Sequence, residues 1–268
     1  MPLAVAREEG RIGGIPYTLE FTFRSDSPVV SCRLDVDLNE EKIGQISNNP
    51  EDAVSAFVHS QKLRVKAFTA SRPTKGIRDL PFVIAETSEP SVDGNYWSAA
   101  AGSEGGLAFF NKGTMGATVE RDGGFSMPLT FAMYYIWGTR MLKGRYHYDF
   151  AVHPFLGDWR KHGLHRQALE FNFPMLVSSG SPGTGALGVE IRPVVVNSDS
   201  VLLTALYNRN GSVFARVWES QGTSGKATLS YKGKTGQGSE VDLLGTEIRH
   251  APAELTFQPW QFRTVKMR

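Results

Sequence analysis

The densest concentration of side chains suited to ligand chemistry lies between residues 134 and 146. Tyr134, Tyr135, Trp137, Arg140, Arg145 and Tyr146 surround a turn at Gly138. Aromatic faces stack on the apolar faces of sugar rings, and charged groups hydrogen-bond the hydroxyls around them. Tyr135, Trp137, Arg140, Arg145 and Tyr146 are therefore the candidate substrate-binding residues. The competing reading of this segment is a set of core aromatics in a wide sheet with an exposed arginine.

Other polar groups carry weaker chemistry. Asp35 and Asp37 share a strand face, and a retaining glycosidase needs two carboxyl groups about 5 Å apart. Their regular alternation with Val36 and Leu38 instead marks the solvated side of a half-buried sheet. His147, Asp149 and His153 fall on one face of a strand and could ligate zinc, with a polar outer face opposite inward Tyr148, Phe150 and Val152 as the plainer account. His162 and His165, three apart near a helix start, raise the same question. No cysteine or tight carboxylate cluster completes a ligand set, so no metal ligand and no catalytic residue is assigned. Asp158-Trp159 reads as structure, with the carboxylate capping a turn and the indole covering a helix–sheet joint. No phosphate-binding glycine loop or serine nucleophile elbow is present.

The elements around these residues are strands. Tyr17, Leu19, Phe21 and Phe23 alternate with polar residues, as do Val30, Cys32, Leu34, Val36 and Leu38, and period two predicts an antiparallel pair with one buried face. Ser25-Asp26-Ser27-Pro28 turns the chain between them. Strands are expected again at residues 63–67, 80–85, 106–111, 116–121, 127–137 and 146–152, with a polar loop over 71–79. Asn49-Pro50 predicts a short helix into His59. A second runs from Gly163 or earlier, where Leu164, Ala168 and Phe171 share a face before Pro174. Ser178 to Gly188, poor in apolar side chains, suits a linker. Beyond it, strands at 201–207 and 213–218 flank Asn210-Gly211, a pair that favours a hairpin turn, and further strands follow at 227–231 and 262–267. The result is an all-β chain: a large β-supersandwich over 1–182 and a smaller antiparallel β-sandwich over 188–268, decorated by one or two short helices.

Composition closes off several function classes. The 268 residues are 41% hydrophobic and 21% charged, with no apolar run near the roughly 20 residues of a membrane span. The formal charge of +2 is spread over 29 basic and 27 acidic side chains without a block that would attract nucleic acid. The first nine residues lack the features of a secretory signal, and the single cysteine, Cys32, suits a reducing compartment, so a cytoplasmic location is expected.

Several segments resemble glycoside hydrolase family 38, the α-mannosidases, over nearly the whole chain. Residues 106–113 and 116–119 are similar to that family's glycine, apolar, asparagine, glycine strand pair. His153-Pro154, Gly157-Asp158-Trp159-Arg160 and Ala168 to Pro174 resemble its "PH…GDW" stretch and the helix ending in asparagine and proline. Val36 to Glu40 is similar to its "VDWNE" strand end, with leucine in place of tryptophan. Residues 201–206 and 255–267 resemble its last sandwich. Tyr134 to Arg140 departs from the arginine-serine-proline loop of many relatives.

The resemblance implies the C-terminal, mutarotase-like β region of such an enzyme. In that family the catalytic zinc and the aspartate nucleophile lie in an α/β barrel that precedes this region. The expected role is then non-catalytic: packing on a catalytic barrel, as domain or subunit, and helping to form a subsite for an α-mannoside. Zinc is expected in the barrel and no cofactor in this chain. A homo-oligomer is left open. The alternatives are a stand-alone carbohydrate-binding module and a mutarotase-like enzyme with a histidine and acid pair in a concave sheet face.

Overall fold

A computed structural model describes residues 3–44, 62–132, 141–179, 191–236 and 238–268. The helix expected after Asn49 and most of the linker expected over 178–188 lie outside them. The chain divides into two compact units, one of residues 1–80 and 85–174, the other of 81–84 and 175–268.

The first unit is a sandwich. Its large sheet runs in the order β1 (Leu3–Ile12), β2 (Ile15–Arg24), β3 (Val30–Glu41), β11 (Leu142–Leu156), β8 (Gly105–Phe110), β7 (Trp97–Ala101), β5 (Lys75–Leu80) and β6 (Val83–Thr87). A small sheet of β4 (Leu63–Phe68), β10 (Gly124–Thr130) and β9 (Thr118–Val119) covers one face of it. The alternation of β3 is realised directly: Cys32, Leu34, Val36 and Leu38 are buried with Phe150 and Phe109 against Phe125, Met127 and Leu63 of the small sheet. Burial of Cys32 pushes its thiol up to about 12.

The expected strand over 80–85 is broken. Pro81-Phe82 forms a turn between β5 and β6, with Phe82 in the left-handed region at φ 59°. The polar loop is also shorter than expected, because Lys75 already pairs with Ala101. An unexpected strand, β1, pairs with β2 through a turn at Gly13 and Gly14, whose φ values of 58° and 89° require glycine-like freedom.

Asp158 caps a short 3-10 turn over Trp159–His162 by accepting from the Arg160 N–H at 3.2 Å. The helix α1 (Leu164–Asn172) follows and buries Leu164 and Ala168. Trp159 is buried against Trp97, and this layer covers the outer face of the sheet around β7 and β8. Trp97, itself fully buried, is held at two points: its backbone N–H donates to Asp79 Oδ1 at 3.1 Å and its indole N–H to His165 Nδ1 at 3.2 Å.

The second unit packs two sheets. One contains β13 (Val201–Arg209), β14 (Ser212–Glu219), β20 (Phe262–Met267), β17 (Gly238–Val241) and β18 (Glu247–His250). The other contains β12 (Val194–Asn197), β15 (Gly225–Tyr231), β16 (Lys234–Thr235) and β19 (Glu254–Phe257). Val217 and Val265 meet Leu229, Leu255 and Phe257 between them. The Asn210-Gly211 turn forms as expected, with φ values of 52° and 78°.

Glu219 organises this unit. Its carboxylate is fully buried and accepts from the backbone N–H groups of Gln221, Gly222, Thr223 and Trp260. Four donors compensate the cost of dehydrating the charge. Replacing Glu219 by Ala strands those donors and should destabilise the unit by about 3 kcal/mol or more. Glu254→Ala, which removes only the exposed partner of Lys226, should cost about 0.5 kcal/mol or less. Denaturant unfolding followed by tryptophan fluorescence checks both.

The two groups that hold Trp97 give opposite pH responses. Burial raises the Asp79 carboxyl from 3.8 to about 6, against the pull of its N–H donors. Its contribution to stability is full below the unfolded value and is lost as pH rises through 6. Burial lowers His165 from 6.5 to about 4, so its contribution is full above the unfolded value and is lost as pH falls through 4. The two offset one another across pH 4 to 6. Asp79→Asn leaves the histidine alone, and the variant's stability should rise with pH in that window more steeply than the parent's. Equilibrium unfolding at pH 4, 5 and 6 measures the slopes.

Candidate functional site

The site is built by the register of four strands. Thr18 of β2 pairs with Glu9 of β1 and with Asp35 of β3, and Asp35 pairs with His147 of β11. One row toward the sheet end, Asp37 pairs with Arg145. One row the other way, Arg7, Glu20, Arg33 and Asp149 stand side by side with alternating charge. Arg33 grips Asp149 with two bonds of 2.8 and 3.0 Å, which hold the Asp149 carboxyl below its usual range.

The first two rows line an open groove of about 520 Å³, and the Tyr17, Val36 and Tyr146 row between them, whose side chains project to the opposite face of the sheet, contributes to its floor. Arg145 Nε lies 3.3 Å from Asp37 Oδ2, and both side chains are exposed. An exposed ion pair contributes about 0 to 1 kcal/mol, so the guanidinium can exchange Asp37 for a ligand at little cost. The Tyr17 hydroxyl donates to Glu8 Oε1 at 2.5 Å, and this bond to a carboxylate raises the pKa of the phenol.

A β-bulge follows the Asp37–Arg145 pair in the ladder of β3 and β11. Leu142 pairs with Glu41 and Gly144 with Leu38, so Asn39 and Glu40 stand opposite Lys143 alone. Glu40 takes φ 57° and Gly144 φ 117°. Tyr146 folds back so that its ring covers Gly144 and its hydroxyl donates to the Lys143 carbonyl at 3.0 Å. The bulge therefore sets how Tyr146 folds against the strand end.

Of the sequence-derived candidates, Arg145 and Tyr146 line the groove, together with Asp35, Asp37 and His147. Tyr135, Trp137 and Arg140 lie outside the described residues. Glu9, Thr18 and Tyr17 were not singled out from sequence. The signal that could have found them was Gly13-Gly14 ahead of the alternating run at 17–23, which marks a turn and so a strand before it.

The polar outer face expected for His147, Asp149 and His153 holds for the first two residues only. His153 is 1% exposed, beneath the turn and helix that follow β11, with its ring 6.0 Å from Phe110 and 6.3 Å from His162. His162 and His165 serve different partners, the Leu156 carbonyl and the Trp97 indole. Among the described residues no three His, Cys, Asp or Glu side chains are grouped to hold a metal ion, and no helix is long and apolar enough to cross a membrane.

Arg145→Ala should leave the unfolding midpoint within error, whereas Gly144→Ala forces a side chain into the left-handed region and should cost about 1 to 2 kcal/mol. Thermal and denaturant unfolding of the two variants separates these effects.

No protein-family profile and no curated protein matches the sequence. Solved structures do match the fold. One is a protein of glycosyl hydrolase family 38 from Enterococcus faecalis, with a TM-score of 0.75 at 14% identity over 95% of this chain. Another is an α-mannosidase from Enterococcus faecalis V583, with a TM-score of 0.74 at 13% identity over 95% of this chain. The chain spans about 30% of the length of each. Its all-β fold is thus that of one part of these larger chains.

Proposed function

We propose that this chain is the C-terminal β region of a family 38 α-mannosidase-like glycoside hydrolase, that it packs on a catalytic barrel, and that it has no hydrolytic activity alone. The observation that carries the reading is the match of 95% of this chain to only 30% of two such proteins. The ordered sequence motifs support it independently.

The groove supplies the recognition chemistry. Asp35 and Asp37 accept from sugar hydroxyls, and Arg145, Thr18 and His147 offer donors to them. These groups bind and orient an α-mannoside. Protonating the leaving oxygen and attacking the anomeric carbon fall to the barrel, where the zinc of the family resides. The groove is open on one side, as a half-site completed by another domain would be.

The test has two arms. The purified chain with added zinc is expected to give no turnover of aryl α-mannosides, and clear turnover contradicts the proposal. Joined to or mixed with its barrel, the chain is expected to restore turnover, and Arg145→Ala or Asp35→Ala then lowers kcat/KM about tenfold, mainly through KM. Saturable mannose binding by the isolated chain would favour the stand-alone binding module instead.

A further inference from the structure

The first strand of the large sheet is open along one side. β1 pairs with β2, and among the described residues no strand pairs with its other side. Every residue of β1 except Gly10 is exposed.

The hairpin fixes which backbone groups face the open side. Gly13 and Gly14, both at positive φ, make a two-residue turn that closes on the Ile12–Ile15 pair. Such a closing pair exchanges both of its hydrogen bonds, and bonded and unbonded pairs then alternate along an antiparallel ladder. The register of β1 with β2 runs without a shift from Leu3 to Ile12. Ile12, Gly10, Glu8, Ala6 and Ala4 therefore turn their N–H and C=O groups to β2. Arg11, Glu9, Arg7, Val5 and Leu3 turn theirs to the open side, where a further strand can dock.

Charges on an exposed edge ordinarily deter pairing with another strand. Here the two signs alternate. Arg7 and Glu9 share a face and lie 2.9 Å apart as an exposed ion pair. Arg7 also begins the row of Arg7, Glu20, Arg33 and Asp149, in which charge alternates across four strands. A second copy of β1 laid antiparallel, about a two-fold axis perpendicular to the sheet, can set Arg7 opposite the partner's Glu9. That register continues the alternation and matches open-side backbone groups with open-side backbone groups. It also sets Val5 opposite the partner's Arg11, whose aliphatic stem can cover it. Sliding the copy by two residues either way puts Arg7 opposite the partner's Arg7 or the partner's Arg11, and like charges directly opposite are destabilising. The like-charge contact that remains is Glu8 with the partner's Glu8 on the other face, where the carboxylate already accepts from Tyr17.

We propose that two copies of this chain join through antiparallel β1 strands, with Arg7 opposite the partner's Glu9, into one continuous sheet. The partner's Arg7 then stands beside Glu9, at the β1 end of the row that lines the groove. The inference stands on β1 and does not rest on the mannoside reading of the groove.

Sedimentation of the full 268-residue chain over a range of concentrations reads the association. A reversible dimer is expected, and a chain that stays monomeric at every soluble concentration overturns the proposal. Arg7→Glu and Glu9→Arg should each weaken self-association at least tenfold, whereas an equimolar mixture of the two variants should associate within about threefold of the parent. Unchanged self-association of either variant overturns the location, and a mixture that fails to associate overturns the pairing of charges. Glu8→Cys puts a cysteine on the two-fold axis, in an unbonded pair whose Cα atoms lie about 4.5 Å apart, within reach of a disulfide. Oxidation should link this variant into a covalent dimer and leave Ala6→Cys unlinked, and Cys32 is buried away from the edge. Linking of Ala6→Cys instead, or of neither variant, overturns the register.

Discussion

The pairing of β3 with β11 is the constraint on which the first unit depends. Eight consecutive pairs, from Arg145 with Asp37 to Val152 with Val30, fix which side chains share a face. A slip of one residue would send Leu34, Val36 and Leu38 into water and Asp35 and Asp37 into the core, so the hydrophobic pattern specifies the register strongly. The same pairing carries Arg145, Tyr146 and His147 to one end of a 15-residue strand and His153 to the other. One strand therefore lines both an open polar groove and a more apolar cavity.

Charged groups are handled differently in the two settings. Glu219 and Asp79 are buried, and each is surrounded by backbone N–H donors that fix loops in place. The carboxylates of the groove are exposed, and Arg145 rests on Asp37 through a contact of little stabilising value. Groups that stabilise the fold have their partners within the chain. Groups on the outer face of β2, β3 and β11 remain available, and the proposed subsite draws on them.

Much of this architecture could be read from the residues. Period-two patterning located β2, β3 and β14, and Asn210-Gly211 located its hairpin, because both signals are local. The capped turn at Asp158 and the helix after it were visible for the same reason. The interruption at Pro81-Phe82 was missed because a left-handed phenylalanine has no sequence mark. His153 was assigned to an outer polar face because alternation identifies faces and does not show that a helix covers one of them. The groove was half visible: Arg145 and Tyr146 stood out by type, while Glu9 and Thr18 join them through strand pairing over a distance that spacing alone does not reveal.

The account's central claim is that the β2–β3–β11 face is one half of an α-mannoside subsite. Adding methyl α-mannoside to the ¹⁵N-labelled chain and following its backbone amides tests this most directly. Small, non-saturating shifts concentrated on Thr18, Asp35, Asp37, Arg145 and His147 are predicted. Unchanged resonances at these five positions, or saturable shifts confined to the second unit, would contradict it.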